Sequence, residues 1–391
     1  MIDAAVSEAC TVFVAPGVYS SSTTGENFPL KITNQISLIG HSREEVILDA
    51  EKNGRVLIVE NTRDNVIDNV TIKNGSMSDG GGVYCEGGIS LFKNIVIESN
   101  EGHDGGGMHL KHAYCEFKNV VIRNNDAYRG GAIFCIDASA NLERVTINSN
   151  NSDHASGIYF ERATAQLLNV TLCNNTSNQG SGIYCRNAES LVVKNSIFWD
   201  NTSNNIYLYL NRKFDIAYSN ILGGRESIKI FDDEKLIWGE GNINADPFFV
   251  DVSNNNYNIR YNSPCIDAGD PDHKKDPDNT RVDIGAYYYD QSTSLSLGNV
   301  SKLPYEYAIG QNYPNPFNSS TSITYNLHET CNVMLKVHNT VGQVIDTLVD
   351  NVQTTGVYKI TWRPNNLPSG IYLFKFQTDN FSKIIKIIYQ K

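Results

Sequence analysis

A repeat of 25 residues runs from about residue 69 to residue 210 of the chain. Two ladders of apolar residues recur at this interval, two positions apart within each repeat. The first ladder is Val83, Met108, Ile133, Ile158, Ile183 and Leu208, and the second is Cys85, Leu110, Cys135, Phe160, Cys185 and Leu210. Alternation of inward and outward residues is the pattern of a β-strand. A period of this length predicts a stack of similar coils, because one coil cannot bury its inner face alone.

Two more strands are predicted within each repeat. One is marked by pairs of branched residues such as Ile95 and Ile97. The members of the other are Phe92, Phe117, Leu142, Leu167 and Val192. The repeat slips by one residue near Lys194. Three short strands without any helical period predict an all-β parallel solenoid, with neighbouring coils about 4.8 Å apart.

Asparagine and glycine mark the bends between the predicted strands. The recurring asparagines are Asn100, Asn125, Asn150, Asn175 and Asn201. An inward asparagine at a bend can bond to backbone groups and to the amide of the next coil, so we predict a stacked asparagine ladder. Glycine runs such as Gly80–Gly82 are followed neither by a helix nor by a Lys-Ser/Thr pair. We therefore interpret them as tight corners rather than phosphate-binding loops.

Charge is distributed unevenly and limits the possible partners. The formal net charge is −11; residues 305–391 carry 5 acids and 7 bases, which leaves 38 acids against 25 bases, or −13, in the preceding residues. An acidic body has no basic excess with which to hold phosphates, so nucleic acid is excluded as a partner. No apolar run reaches the roughly 18 residues of a membrane helix, and the start lacks the features of a signal peptide. Taken alone, these features indicate a cytoplasmic protein.

Short segments at both ends of the repeat region carry a family resemblance. Val14–Tyr19 and Ile36–Gly40 are similar to first coils, and Asn262–Gly269 and Asp283–Tyr287 are similar to a closing cap. Together they resemble the right-handed parallel β-helix family with the pectate-lyase-like fold, which implies such a domain with its cap over residues 1–290. Relatives usually begin with a signal peptide and a capping helix. We therefore expect a truncated start, and the cytoplasmic interpretation loses its basis.

The rhythm of the sequence changes after about residue 303. About seven short alternating segments within roughly 90 residues predict a small immunoglobulin-like β-sandwich over residues 303–391, joined by a polar linker over residues 291–302. Four motifs stand out in this tail, namely Gln311–Asn318, Val341–Gly342, Leu367–Tyr372 and Lys383–Lys386. They resemble the C-terminal sorting domain of type IX secretion cargo. The resemblance implies export by that machinery and a protein that is secreted or attached to the outer-membrane surface.

The chain contains eight cysteines. Cys85, Cys135 and Cys185 take one inward position in alternate coils, so they lie about 9.6 Å apart and cannot form disulfides, which require Cα atoms within about 7 Å. Cys115 falls in another inward ladder. We predict that these four fill the core, and that no cysteine-based metal site exists because no spacing matches a zinc motif.

An acidic segment over residues 267–279 has two interpretations. Its candidate calcium ligands are Asp270, Asp272, Asp276 and Asp278. Carboxylate oxygens at short spacing suit Ca²⁺, although the segment is not an EF-hand loop. The alternative is a turn within the cap, because Asp-Pro and Asp-Asn pairs are ordinary turn formers.

Outward residues in the coils from about 101 to 162 form a candidate site. One outward column contains Ser78, His103, Tyr128, Asp153 and Asn178, and the next contains Asp79, Asp104, Arg129, His154 and Gln179. A polyuronate lyase needs a base, an acid and a cation, so Lys111 or His109 would be the base and Arg129 or Tyr128 the acid. Asp79 and Asp104 would lie about 5 Å apart, suited to Ca²⁺ or to the carboxyl pair of a retaining glycosidase. The alternative is that these columns form an ordinary solvated face.

A regular column of aromatic residues separates the two apolar ladders. Its members are Tyr84, His109, Phe134, Tyr159, Tyr184 and Tyr209. Outward rings along parallel strands would form a track for sugar rings, with His103 and His154 as further substrate contacts. The alternative is that stacked rings simply stabilise the sheet.

These observations lead to one main hypothesis and its rivals. The chain is predicted to be an exported, monomeric β-helix protein that engages polysaccharide, with polyuronate lyase as one possible activity. The rival from a different class is a non-catalytic adhesin or structural surface protein. A glycoside hydrolase is favoured less, because the acids do not form an obvious catalytic set.

Overall fold

In the computed structural model, residues that lie one repeat apart in the sequence pair with each other as parallel strands. The chain divides into two units, Met1–Ser292 and Thr293–Lys391. The structure describes residues 10–33, 35–210, 213–231, 236–292, 308–310, 312, 314–327, 330–354, 356–364, 367–379 and 381–390. The start of the chain and most of the predicted linker lie outside these residues. The first unit is a parallel β-solenoid of about nine turns, which confirms the predicted fold.

Three columns of strands run the length of the solenoid. Column 1 comprises Leu30–Thr33, Met108–Lys111, Ile133–Ile136, Ile158–Glu161, Ile183–Arg186, Ile206–Tyr209 and Ile228–Ile230. Column 2 comprises Cys10–Val14, Ile36–Gly40, Tyr114–Lys118, Ser190–Lys194, Phe214–Ala217 and Leu236–Trp238. Column 3 comprises Gly17–Tyr19, Val46–Asp49, Thr71–Lys73, Val96–Glu98, Val121–Arg123, Ile197–Trp199 and Asn220–Ile221. Leu57–Asp68 and Val83–Lys93 supply both columns 1 and 2, whereas Ser139–Asn148 and Thr164–Cys173 supply both columns 2 and 3.

A fourth, shorter column was not predicted. It consists of Glu101–Asp104, Asp126–Arg129, Asn151–His154 and Thr176–Gln179, which form a separate parallel sheet that we call the side sheet. In sequence the side sheet follows the asparagine bend and precedes the glycine run. Small residues such as Ala127 and Ser152 are buried in it, while larger polar side chains point outward.

The solenoid interior is filled as the apolar ladders predicted, except at their last members: Leu208 pairs with Cys185 rather than Ile183, and Leu210 is exposed. Val83, Cys85 and Leu110 are fully buried, and the rings of Phe92 and Phe117 stack at a centroid distance of 5.3 Å. All eight cysteines are free, which agrees with the predicted core-filling role. Burial of apolar surface stabilises the stack by about 25 cal/mol per Å², so the fold depends on every coil finding a neighbour.

The asparagine ladder is confirmed. Asn100 donates through Nδ2 to Oδ1 of Asn125 at 3.0 Å, and Asn125 donates to Oδ1 of Asn150 at 3.0 Å. Each Oδ1 also accepts the backbone N–H of the preceding ladder residue, as from Asn100 to Asn125 at 3.0 Å. Asn175 and Asn201 continue the pattern. The ladder thus satisfies backbone groups that the bend removes from the sheet.

The register differs from a strict period of 25 near the end of the repeat region. Tyr184 pairs with Tyr207, so the prediction that Tyr209 continues the aromatic column was wrong. The one-residue slip lies between Arg186 and Ser190 rather than at Lys194. Consequently Leu191 and Val193 are buried in the interior, and Val192 is not a core residue as predicted. The later coils are shorter than 25 residues, which a fixed period could not anticipate.

The segment predicted to close the solenoid runs back along its side. It contains the antiparallel strands Phe249–Asp251 and Asn256–Ile259, joined by a short 3₁₀ turn at Val252–Asn254. Its apolar residues pack on the outer side of column 3, where Cys173, Ile197, Tyr257, Cys265 and Ile284 share a cluster. We call residues 243–292 the side cap, because it covers the flank of earlier coils.

The second unit contains two antiparallel sheets. Ala308–Ile309, Thr321–Leu327 and Gly356–Trp362 form one antiparallel sheet. Cys331–Asn339, Val344–Gln353, Gly370–Gln377 and Ser382–Tyr389 form another. Trp362, Tyr325 and Phe374 are buried in a shared core, consistent with the predicted small sandwich.

Candidate functional site

The side sheet presents a short row of rings on its outward face. His103 and Tyr128 stack with centroids 4.9 Å apart, and His154 meets Tyr128 edge-on at 5.4 Å. Tyr128 is 44% exposed. These three predicted site residues are therefore brought together on one surface. Parallel pairing places His103 and Tyr128, which are 25 residues apart, in neighbouring coils, whereas His154 pairs with Arg129 and its ring reaches Tyr128 from the adjacent column.

Arg129 and Asp104 are occupied by each other. The guanidinium donates from Nε to Oδ1 at 2.7 Å and from Nη2 to Oδ2 at 2.6 Å. The Arg129 guanidinium also lies over the ring of Phe134, 4.8 Å from its centroid. The hydrogen bonds that Arg129 donates to the Asp104 carboxylate stabilise the charged guanidinium and so raise the pKa of Arg129. This geometry disfavours Arg129 as a proton donor and Asp104 as a free calcium ligand.

Asp79 is 49% exposed in its side chain, unlike Asp104. Its backbone forms a parallel bridge with Asp104, so the two residues occupy neighbouring coils as predicted. Its Oδ1 lies 3.8 Å from Nδ1 of His109. Among the described residues, no three His, Cys, Asp or Glu side chains gather closely enough to hold a metal ion. Calcium binding by this pair stays a prediction.

His109 is buried, although the alternation of the strand placed it outward. Only 6% of the residue is exposed, and its ring lies edge-on between those of Tyr84 and Phe134, at 5.3 and 5.0 Å. The glycine turn covers the His109 side chain, because Gly80 packs directly against it. A Cβ added to Gly80 would lie only 3.1 Å from Cβ of His109. Burial lowers the pKa of His109, so the imidazole is neutral at neutral pH. Neither ring nitrogen has a hydrogen-bond partner.

Lys111 is paired with a carboxylate. Its Nζ lies 3.0 Å from Oε1 of Glu86 in the preceding coil, and the same carboxylate accepts a hydrogen bond from the Tyr84 hydroxyl at 2.8 Å. Together these contacts lower the pKa of Glu86. Lys111 is thus already engaged in an ion pair, which disfavours it as a free catalytic group.

The aromatic column stacks on itself. Tyr159 and Tyr184 stack at 4.8 Å, Tyr184 and Tyr207 stack at 4.7 Å, and Phe134 is buried against Tyr159. Ring faces that cover one another are not available to a sugar, so a glycan would meet only their edges. The geometry of this column favours sheet stabilisation. Burial also raises the pKa of the Tyr184 hydroxyl to about 12.

The acidic segment uses its carboxylates within the protein. Asp270 binds Nζ of Lys194 at 2.7 Å, and Asp276 binds Arg144 at 3.1 Å. Asp278 accepts hydrogen bonds from Thr280 and from the backbone of Gln291, while Asp272 is exposed and donates its N–H to Asp270. Protein donors thus occupy three of the four candidate ligands. This favours a turn that fastens the side cap, and calcium binding here also stays a prediction.

A groove at the bend between columns 1 and 2 was missed by the sequence reasoning. It is an open depression of about 480 Å³, and we call it the corner groove. Its lining includes His112, Ala113, Tyr114, Asp137, Ala138 and Arg162. The signal was present in the sequence, because the bend column of His112, Asp137 and Arg162 is ionisable where other bends use asparagine.

Comparison with known proteins gives a match to the C-terminal part of the chain. Residues 311–390 match the secretion system C-terminal sorting domain, and no curated protein matches the chain. This confirms the predicted type IX sorting domain, and the protein is therefore secreted or displayed at the outer surface. Within the described residues there is no helix of the length and apolar character needed to cross a bilayer.

Proposed function

We propose that this protein binds a neutral, hydroxyl-rich polysaccharide on the outward face of the side sheet. The observation that carries the proposal is the Tyr128 ring, which stays 44% exposed although His103 stacks on it and His154 meets it edge-on, whereas Tyr159 of the aromatic column is buried. Strand spacing of about 4.8 Å is similar to the length of one pyranose unit, so successive sugars would meet successive strands.

Polar side chains around the rings support a sugar ligand. Glu101, Asp126, Asn151 and Asp153 are all exposed on the same outward face. Carboxylates accept several hydrogen bonds, and the asparagine amide both accepts and donates, which suits adjacent hydroxyl groups. Shallow polar binding surfaces with a few aromatic anchors favour extended ligands that contact many residues weakly.

Charge favours a neutral glycan over a polyuronate. The residues before the tail carry −13, and both Lys111 and Arg129 are already paired with carboxylates. A polyanion would therefore be repelled by the body and would find few unpaired cations in the candidate site. Binding without turnover corresponds to the adhesin alternative.

Binding is tested with an array of β-glucan, mannan, xylan and polygalacturonate, using the full chain. We expect binding to a neutral glycan and its loss in Tyr128→Ala. Tyr261→Ala is the matched control, since this tyrosine of the side cap is also exposed. Absence of binding to every glycan, or equal binding by Tyr128→Ala, would contradict the proposal.

A polyuronate lyase is the second candidate, and one observation favours it. The imidazole of His109 is neutral, lies near Asp79 and has no hydrogen-bond partner among the described residues. A catalytic base needs such an unprotonated, unoccupied nitrogen to accept a proton from the substrate. Formation of unsaturated product from polygalacturonate, followed by ultraviolet absorption, tests it. His109→Phe would abolish such turnover, whereas Lys118→Ala, which removes an ion pair 3.1 Å from Glu116, would leave it unchanged. No product from the wild type would leave binding alone.

A further inference from the structure

We propose that the corner groove is a second glycan subsite, which binds one or two units of the same neutral polysaccharide. This inference rests on the proposed function for the nature of its ligand, but on different residues. The groove lies at the bend between Met108–Lys111 and Tyr114–Lys118, whereas the side sheet precedes Met108–Lys111 in each coil.

The shape of the corner groove suits a chain of sugar units. The depression measures about 480 Å³, and its floor is formed by Ala113 and Ala138, which are almost completely buried. Larger lining residues flank the two alanines in the chain, with His112 and Asp137 directly before them and Tyr114 directly after Ala113. Parallel pairing aligns these residues along the solenoid axis, so the groove is elongated in the direction of a chain-like ligand.

Tyr114 supplies the aromatic surface that the aromatic column does not. It is 38% exposed, and within the described part of the chain its ring makes no aromatic contact. Its hydroxyl accepts a hydrogen bond from Nδ2 of Asn141 at 2.7 Å, which holds the ring in place. A ring with an uncovered face can pack against the C–H face of a pyranose, unlike Tyr159 or Tyr184.

The polar side of the groove is tied together by ion pairs and is net negative, with the Arg162 guanidinium against the carboxylates of Asp137 and Glu161. Arg162 binds both oxygens of Asp137, each at 2.8 Å, and also binds Glu161 at 2.6 Å. The Arg162 guanidinium lowers the pKa of the Asp137 carboxyl, which therefore stays ionised. Because the guanidinium is balanced by carboxylates, a phosphate or uronate gains little there. Hydroxyl groups can still bond to the remaining lone pairs and N–H groups.

His112 adds an adjustable group at the rim. It is exposed, and no hydrogen bond to its ring is found among the described residues. A neutral imidazole offers one donor and one acceptor, which matches a sugar hydroxyl. Its backbone φ is 49°, in the left-handed region that asparagine also tolerates. His112→Asn therefore removes the ring without a new backbone strain.

The full chain is titrated with the neutral glycan that binds best in the array, and Tyr114→Ala and His112→Asn are compared with the wild type. We expect Tyr114→Ala to weaken binding by about tenfold and His112→Asn to weaken it by several-fold. Tyr114→Phe keeps the ring and should bind within about twofold of the wild type. Thermal unfolding of each variant establishes that the solenoid is intact.

The outcomes separate the two proposals. Unchanged affinity in Tyr114→Ala, together with loss of binding in Tyr128→Ala, overturns the corner subsite and leaves the side sheet as the binding face. Loss of binding in Tyr114→Ala with no effect of Tyr128→Ala supports the subsite and overturns the side-sheet face. A wild type that binds only polygalacturonate overturns the neutral-glycan assignment of both.

Discussion

Arg129 and Asp104 lie one coil apart and form a bidentate ion pair, with distances of 2.7 and 2.6 Å. Asp104 is only 8% exposed, so Arg129 compensates a carboxylate that has been largely removed from water. Arg129→Ala should therefore destabilise the first unit by about 1 to 3 kcal/mol, through an unpaired buried acceptor. Denaturant unfolding measures the loss. Asp104→Asn in the same chain should restore part of it, and additive effects of the two substitutions would contradict the coupling.

The asparagine ladder predicts a large effect from a small deletion. Asn125→Ala removes bonds to Asn150 and to the carbonyl of Ile97, and leaves the N–H of Asn100 without its acceptor. We expect a loss of about 1 to 3 kcal/mol in the free energy of unfolding. Asn151→Ala is the control, since Asn151 is exposed at the start of the side-sheet strand Asn151–His154. Equal stability of the two variants would exclude the ladder as a source of stability.

His109→Phe distinguishes packing from catalysis. The position equivalent to His109 in the next coil is Phe134, so the neighbouring rings accept this shape. Because both nitrogens of His109 lack partners, we expect Phe to stabilise the fold by about 1 kcal/mol. Thermal unfolding provides the measurement. If the protein is a lyase that uses His109 as base, the same variant loses turnover while remaining more stable.

Acid should also affect His109 in a defined direction. Its pKa is lowered in the folded protein, so the unfolded chain binds the proton more readily. Stability contributed by His109 is therefore lost as the pH falls below the ordinary histidine pKa of about 6.5. The slope of unfolding temperature against pH between about 7 and 5 should be smaller in His109→Phe than in the wild type. An unchanged slope would contradict the shift.

Asp283 in the side cap should act in the opposite direction. Burial raises its pKa to about 7, although it accepts the N–H groups of Asp267 and Tyr289. A raised acid pKa means that the folded state binds the proton more tightly, so stability rises as the pH falls from about 8 towards 4. The difference from the ordinary value of 3.8 corresponds to at most about 4 kcal/mol.

Asp283→Asn isolates this contribution. The amide cannot titrate, and its NH₂ group would face one of the two backbone donors, so the variant should be less stable at both pH 8 and pH 5. Its deficit relative to the wild type should be larger at pH 5, where the wild type gains from protonation. Unfolding temperatures of the two proteins across this range provide the comparison, and a deficit independent of pH would rule out the raised pKa.

Calcium provides a prediction for the acidic segment. Asp270 and Asp276 are paired with Lys194 and Arg144, so Ca²⁺ would have to displace these cations. We expect less than about 1 °C change in unfolding temperature on adding millimolar Ca²⁺ or a chelator, because a ligand stabilises only the state it binds. A clear rise with Ca²⁺ would establish a site and favour the other interpretation of this loop.

The sequence predicted which residues of the candidate site share a column, but it did not predict which of their side chains are exposed. His103 and Tyr128 were placed in one column because a fixed period becomes a fixed translation once coils stack. His154 was placed in the next column, with Arg129, and only the structure shows that its ring meets Tyr128. His109 was placed on the outside by the same alternation, yet the glycine turn covers it. The alternation of a strand gives the side to which a residue points, but it does not indicate what another segment places over that side.

The amino-acid sequence by itself determined the solenoid, its asparagine ladder, its free core cysteines and the sorting tail. These features repeat locally or form a compact motif, so each follows from neighbouring residues and from stacking. Only the tertiary structure decided that the side cap returns along earlier coils, for example where Asn169 donates to the carbonyl of Asp283. It also decided that Arg129 and Lys111 are paired and that Tyr114 lines an open groove. Such contacts depend on side-chain directions and on segments far apart in the chain, which no period encodes.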